Sequence, residues 1–189
     1  MKKTKSMLFL LAVIMTVNAQ DHVLKRLENS PRHMEWVNLK VESRNLETFL
    51  VYPEISKKVP GVILIHENRG LNDWARSAAD QVAEVGYIVM APDMLSGKAP
   101  DVGKTSDFEN TDLARTAIYN LDPEEITLNL DAVFHNLKEL PACNGTIVVM
   151  GFCWGGSQTF RYLTNNPELA AGFVFYGTAP KDKSVLKQI

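Results

Sequence analysis

Cysteine is scarce. Only Cys143 and Cys153 occur among the 189 residues, too few for the disulfide framework that holds many small secreted domains together. A bridge between these two is disfavoured as well. Cys143 precedes the turn dipeptide Asn144-Gly145, and a strand over Thr146 to Met150 would carry Cys153 about 20 Å or more away at ~3.3 Å per residue. Cys143 therefore reads as a small apolar residue at a loop, and Cys153 as a free thiol. The chain also lacks a His and Cys cluster of metal-binding type, an internal repeat, a low-complexity tract and any linker-like shift in composition. Basic excess is missing too: 20 Lys and Arg face 22 Asp and Glu, which argues against a nucleic-acid partner.

The single long apolar stretch, Met7 to Val17, follows Lys2, Lys3 and Lys5 and precedes the small-residue site Val17-Asn18-Ala19. This is the pattern of a secretory signal peptide over residues 1–19, with cleavage expected after Ala19 and a secreted or periplasmic destination. The stretch falls well short of the ~20 residues needed to span hydrocarbon, so no membrane span is expected after cleavage. No cysteine follows the site to carry a lipoprotein anchor. Removing the three lysines leaves 17 basic against 22 acidic residues, a net charge of −5. Residues 20–189 suit one domain, and 46% hydrophobic residues over the whole chain supply a sizeable core.

Strand patterns alternate with helical ones. Trp36 to Val41 and Leu46 to Tyr52 alternate apolar and polar residues around Glu42 to Asn45, predicting an antiparallel hairpin at a sheet edge. Val62-Ile63-Leu64-Ile65 is continuously apolar, as are Tyr87 to Ala91 and Thr146 to Met150, the pattern of parallel strands buried on both faces. Ala75, Ala78, Ala79, Val82 and Ala83 keep helical spacing and Gly86 stands where that helix would stop. Asp122-Pro123-Glu124-Glu125 supplies an N-cap, a first-turn proline and a capping-box acid for a helix through Leu137. Between Asp93 and Leu121 a loop leads to a short helix near Leu113 to Tyr119. These elements predict a doubly wound, mostly parallel α/β sheet with an amino-terminal antiparallel edge hairpin. Chemistry then belongs at the carboxyl ends of the strands.

Two segments meet there. Gly151-Phe152-Cys153-Trp154-Gly155-Gly156 has the form of a nucleophile elbow, a turn so tight that glycine is needed two residues before and after the nucleophile. It raises Cys153 at the amino end of a helix, where partial positive charge favours a thiolate. The backbone N–H of Trp154 points into the same space, and the loop after the first buried strand offers that of Asn68 as a second oxyanion donor. The plainer alternative is a glycine-rich turn around an inert cysteine. Glu67, at the pocket end of the strand, either pairs with a cation such as Arg69 or holds a proton near Cys153. Arg69 is a candidate for binding an acidic substrate group, or is simply solvated. His66 should point opposite to Glu67 and be packed or hydrogen-bonded. His22, His33 and His135 lie on elements remote from the elbow, so no histidine here presents itself as a triad member.

Ile65-His66-Glu67-Asn68-Arg69-Gly70-Leu71, Ala91-Pro92-Asp93, Leu121-Asp122-Pro123-Glu124 and the cysteine elbow together resemble the dienelactone hydrolase (carboxymethylenebutenolidase) family of the α/β-hydrolase superfamily. The resemblance covers roughly Ser30 to Pro180. It implies hydrolysis of a small-molecule ester or lactone through an acyl-cysteine, with a Cys-His-Asp triad, no metal and no other cofactor; it specifies no oligomeric state. Cys153 matches the family nucleophile, Glu67 the glutamate that interacts with the resting thiol, and the N–H groups of Asn68 and Trp154 the oxyanion hole. The family's carboxylate-holding arginine has no counterpart after Asp93, where Leu95-Ser96-Gly97-Lys98 stands and Lys98 is the substitute cation.

In the elbow order of nucleophile, acid and histidine, the triad's acid and histidine are expected beyond Ile189, after two further βα units. Asp182 comes too early to be the acid. The chain is thus expected to be incomplete at its carboxyl end, and two functions of different class remain open: a cysteine-dependent hydrolase, or a non-catalytic α/β-hydrolase-like fragment or binding protein.

Overall fold

A computed structural model describes residues 21–189; the expected leader over 1–19 lies outside the described residues. The described chain opens in helix α1 (21–28) and runs into the expected hairpin, β1 (Met34–Val41) and β2 (Arg44–Val51). Its turn is tighter than the pattern indicated. Val41 sits opposite Arg44, leaving Glu42 and Ser43 as the connection, and Glu42 takes a left-handed φ of 53°, the conformation short hairpin turns demand.

Strands β3 (Val59–Ile65), β4 (Ile88–Pro92), β5 (Cys143–Phe152) and β6 (Ala171–Phe175) complete a six-stranded sheet in the order β1-β2-β4-β3-β5-β6. β3 is parallel to both β4 and β5, β6 is parallel to β5, and β2 joins β4 antiparallel. The edge hairpin and the buried parallel strands are therefore as the alternation of patterns predicts. Cys143 differs. It is the first residue of β5, buried and paired with Val59, and the register shifts before Ile147 meets Gly61. Gly145, at a φ of 86°, takes up the irregularity. Both cysteines are free.

The continuous apolar strands are buried on two faces for a simple reason: successive side chains point oppositely. In β3, Val62 and Leu64 pack with Ala75, Ala79 and Ala83 of α2 (Asp73–Glu84). Ile63 and Ile65 pack on the other side with Ile126, Leu130, Phe134 and Leu137 of α4 (Pro123–Glu139), Ile118 of α3 (Thr111–Tyr119) and Tyr162 of α5 (Trp154–Asn165). Asp122 caps α4 by accepting the Glu124 N–H at 2.9 Å. Glu125, expected to complete a capping box, turns instead to Lys98 at 2.8 Å and Arg44 at 3.1 Å. Two cations from neighbouring segments outcompete one backbone amide.

Two carboxylates of α2 hold down the amino-terminal segment: Glu84 accepts from Arg26 at 2.5 Å, and Asp80 gathers more partners. Asp80 of α2 is fully buried and accepts from Arg32 at 2.6 and 2.9 Å and from Ser30 at 2.6 Å, with Arg26 3.3 Å away. Burial pushes the Asp80 carboxyl upward, but the hydrogen bonds from Arg32 and Ser30 and the charges of Arg32 and Arg26 outweigh it, leaving it below the ordinary aspartate value. The charged form is thus bound more tightly in the folded state. Its stabilisation is complete above ~3.9, the unfolded aspartate value, and is lost as pH falls through the lower folded value. Asp80→Ala leaves Arg32 without its counter-charge and should lower stability by about 3 kcal/mol at pH 7, read as a lower urea midpoint. The difference between variant and wild type should shrink on acidification below the ordinary aspartate range.

Candidate functional site

Ile65 at the end of β3 stands opposite Gly151 near the end of β5, so the segments leaving these strands emerge side by side. Cys153 joins β5 to α5 with φ 55° and ψ −115°, a region that costs a non-glycine residue on the order of 1–3 kcal/mol. Surrounding bonds impose it. The Cys153 N–H donates to the Phe175 carbonyl at 3.0 Å, and the Cys153 carbonyl accepts from the Ser157 N–H at 3.2 Å. A side chain on Gly151 would collide with the Gly155 carbonyl, and one on Gly155 with the carbonyls of Ile65 and His66. The elbow glycines are thus required by backbone approach. The half-buried thiol itself makes no capping bond to α5.

The loop after β3 carries Glu67, Asn68 and Arg69. Glu67 and Arg69 approach to 3.9 Å, an ion pair too long for a hydrogen bond, and Arg69 is the more exposed partner. The Asn68 side chain donates to the Tyr119 hydroxyl at 3.3 Å. Its backbone N–H has no acceptor among the described residues. The N–H of Trp154 opens α5 and belongs to the first-turn amides that lack an intrahelical acceptor.

His66 is packed and hydrogen-bonded, as its alternation with Glu67 predicts. It is fully buried, with Nδ1 2.8 Å from the Glu67 carbonyl, Nε2 accepting the Met94 N–H at 3.2 Å, and its ring stacked on Trp154 at 5.7 Å and 16°. Burial lowers its pKa against the opposing pull of Asp93 and Glu67. Asp93 is also buried; it accepts from the Thr105 hydroxyl at 2.6 Å and the Thr105 N–H at 2.9 Å, while that hydroxyl accepts from the Leu71 N–H at 3.0 Å. The long loop after β4 therefore grips both ends of the segment holding Glu67 and Asn68.

A cleft of about 1100 Å³ opens over these loops, lined among others by Glu67, Arg69, Trp36, Trp74, Lys104 and Tyr176. Cys153 is not in its wall, but Tyr176, which is, lies with its ring centroid 6.3 Å from that of Phe152, the residue before Cys153. The Tyr176 phenol is raised above the ordinary tyrosine value by lost hydration first, then by the charges of Glu67 and Cys153. Its backbone is left-handed, with φ 44°. β6 ends at Phe175, and Tyr176, the next residue, turns at the same carboxyl edge as the elbow. Its place one residue past a parallel strand was the available signal.

Other residues lie elsewhere. His22 is in α1, His33 pairs with Glu35 at 3.6 Å, and His135 sits beside Phe134 on α4. Asp182 accepts the Ser184 N–H at 2.9 Å and caps the final turn. Lys98, the cation standing near the family's arginine position, is paired with Glu125 at 2.8 Å.

The chain is similar to known proteins. The dienelactone hydrolase family pattern matches residues 46–189. A putative carboxymethylenebutenolidase of Methylorubrum extorquens is 24% identical over 151 residues, 79% of this chain and 51% of the relative. A protein of the same description from Escherichia coli K12 is 27% identical over 128 residues, 67% of this chain and 46% of the relative. The chain thus spans about half the length of the curated relatives it matches. The crystal structure of a putative dienelactone hydrolase from Klebsiella pneumoniae superposes with a TM-score of 0.68 at 21% identity, covering 80% of this chain and 62% of that one. With its mixed sheet, cysteine elbow and family match over residues 46–189, the chain belongs to the dienelactone hydrolase family.

Proposed function

We propose that the protein hydrolyses an ester or lactone through an acyl-cysteine at Cys153. The observation that carries this is the left-handed Cys153 at the start of α5, beside a loop whose Asn68 N–H has no acceptor among the described residues. Glu67 accepts the thiol proton, and Sγ attacks the substrate carbonyl carbon. The resulting oxyanion accepts from the N–H groups of Asn68 and Trp154. Collapse breaks the bond to the leaving oxygen, which takes up the proton and leaves a thioester; from an ester this hydroxyl departs as an alcohol, and from a lactone it stays tethered to the acyl group. Water then cleaves the thioester, releasing the acid and restoring the thiol. Arg69, exposed on the cleft wall, is a candidate to hold an acidic group of the substrate. We also propose export, on the basic and apolar pattern before Ala19.

A non-catalytic binding role is the second reading. It is favoured by His66, which packs on the elbow through Trp154 with both ring nitrogens engaged, and by Asp182, which caps a turn. Steady turnover of simple aryl esters would exclude it.

Incubation with p-nitrophenyl acetate should release p-nitrophenol and add one acetyl group to the peptide containing Cys153, detected by mass spectrometry. Cys153→Ala should abolish both signals, and their persistence in that variant would sink the proposal. Glu67→Gln should slow acylation by about 100-fold, the scale of a lost general base.

A further inference from the structure

Both ring nitrogens of His66 are engaged, Nδ1 with the Glu67 carbonyl of the loop that carries Asn68 and Nε2 with the Met94 N–H of the loop after β4. The Met94 N–H only donates and the Glu67 carbonyl only accepts, so the ring carries its proton on Nδ1 and none on Nε2. This is a neutral imidazole that cannot take a proton without losing the Met94 bond. The charged groups acting on it are Asp93, from the loop after β4, and Glu67, from its own loop; burial outweighs both.

The consequence lies one peptide unit away. The Glu67 to Asn68 peptide is trans, as are all described peptide bonds here, and amide resonance keeps it planar, so its carbonyl and its N–H point in opposite directions. Drawing the Glu67 carbonyl to Nδ1 at 2.8 Å therefore turns the Asn68 N–H away from the buried ring. The same ring lies flat against Trp154, whose N–H begins α5. One side chain touches the supports of both proposed oxyanion donors.

We propose that His66 is a positioning residue, a neutral strut that aims the Asn68 N–H and steadies Trp154, and takes no proton during the reaction. The proposal rests on acylation of Cys153 as described above. A base at this position would need a free ring nitrogen facing the thiol, and His66 has none free. A strut needs rigidity, and the Asp93, Thr105 and Leu71 bonds fix the far end of the same loop.

Two measurements test it. Nitrogen-15 spectra of the wild-type imidazoles should show His66 as the Nδ1–H tautomer and still neutral below pH ~6.5, the ordinary histidine value. An Nε2–H tautomer, or titration near that value, would overturn the proposal without reference to activity. The second measurement compares acetylation of Cys153 by p-nitrophenyl acetate, which passes through an oxyanion, with alkylation by iodoacetamide, which does not. His66→Leu should slow acetylation by about 100-fold, the scale of one lost oxyanion donor, and leave alkylation within about twofold. His66→Asn, which keeps an N–H near the Nδ1 position, should recover about tenfold of that loss. Equal slowing of both reactions, or of neither, would overturn the strut. A wild type with the expected tautomer that is never acetylated overturns the hydrolase proposal instead.

Discussion

The site is organised around one close approach between backbones. Gly155, in the first turn of α5, lies against the carbonyls of Ile65 and His66 where a side chain would have to sit. Through that contact the elbow after β5 and the loop after β3 are pressed together at their origin. The parallel pairing of Ile65 with Gly151 sets the level at which this happens. The segment of Cys153 and Trp154 and the segment of Glu67 and Asn68 start side by side because no side chain separates them. A methyl group at Gly155 would part them, and even a small separation weakens hydrogen bonds that depend on distance and angle.

The loop after β4 supplies the second constraint. It reaches the Asn68 segment by two polar routes, the Met94 N–H to His66 and the Asp93 carboxylate through Thr105 to Leu71. Both are buried or nearly so, where an unmade hydrogen bond is expensive. The edge hairpin supports this loop in turn, since the Asp93 N–H donates to the Glu47 carbonyl at 2.8 Å and the Ser96 hydroxyl accepts the Glu47 N–H at 3.0 Å. A strand far from the thiol in sequence thus bears on its surroundings.

Much of the fold was legible because periodicity is a local consequence of burial. Four apolar residues in a row at Val62 to Ile65 meant a strand with two covered faces, and the alanines of α2 meant a helix lying close on the sheet. Local chemistry was legible where no competitor existed, as at the Asp122 cap. It failed where distant charge intervened: Glu125 left the capping box for Lys98 and Arg44. Cys143 looked like a loop residue because Asn144-Gly145 signals a turn, yet a bulge lets β5 continue through it.

The sequence by itself determined the α/β class, the cysteine elbow and the family, since each is written in consecutive residues or in fixed spacing. It also narrowed His66 to a packed or hydrogen-bonded role, because alternate strand residues point oppositely. Only the tertiary structure decided what that histidine holds and that Asp80 gathers Arg26, Ser30 and Arg32. These depend on which atoms of separate segments come within about 3 Å of one another, a distance set by packing of whole elements and invisible to local pattern.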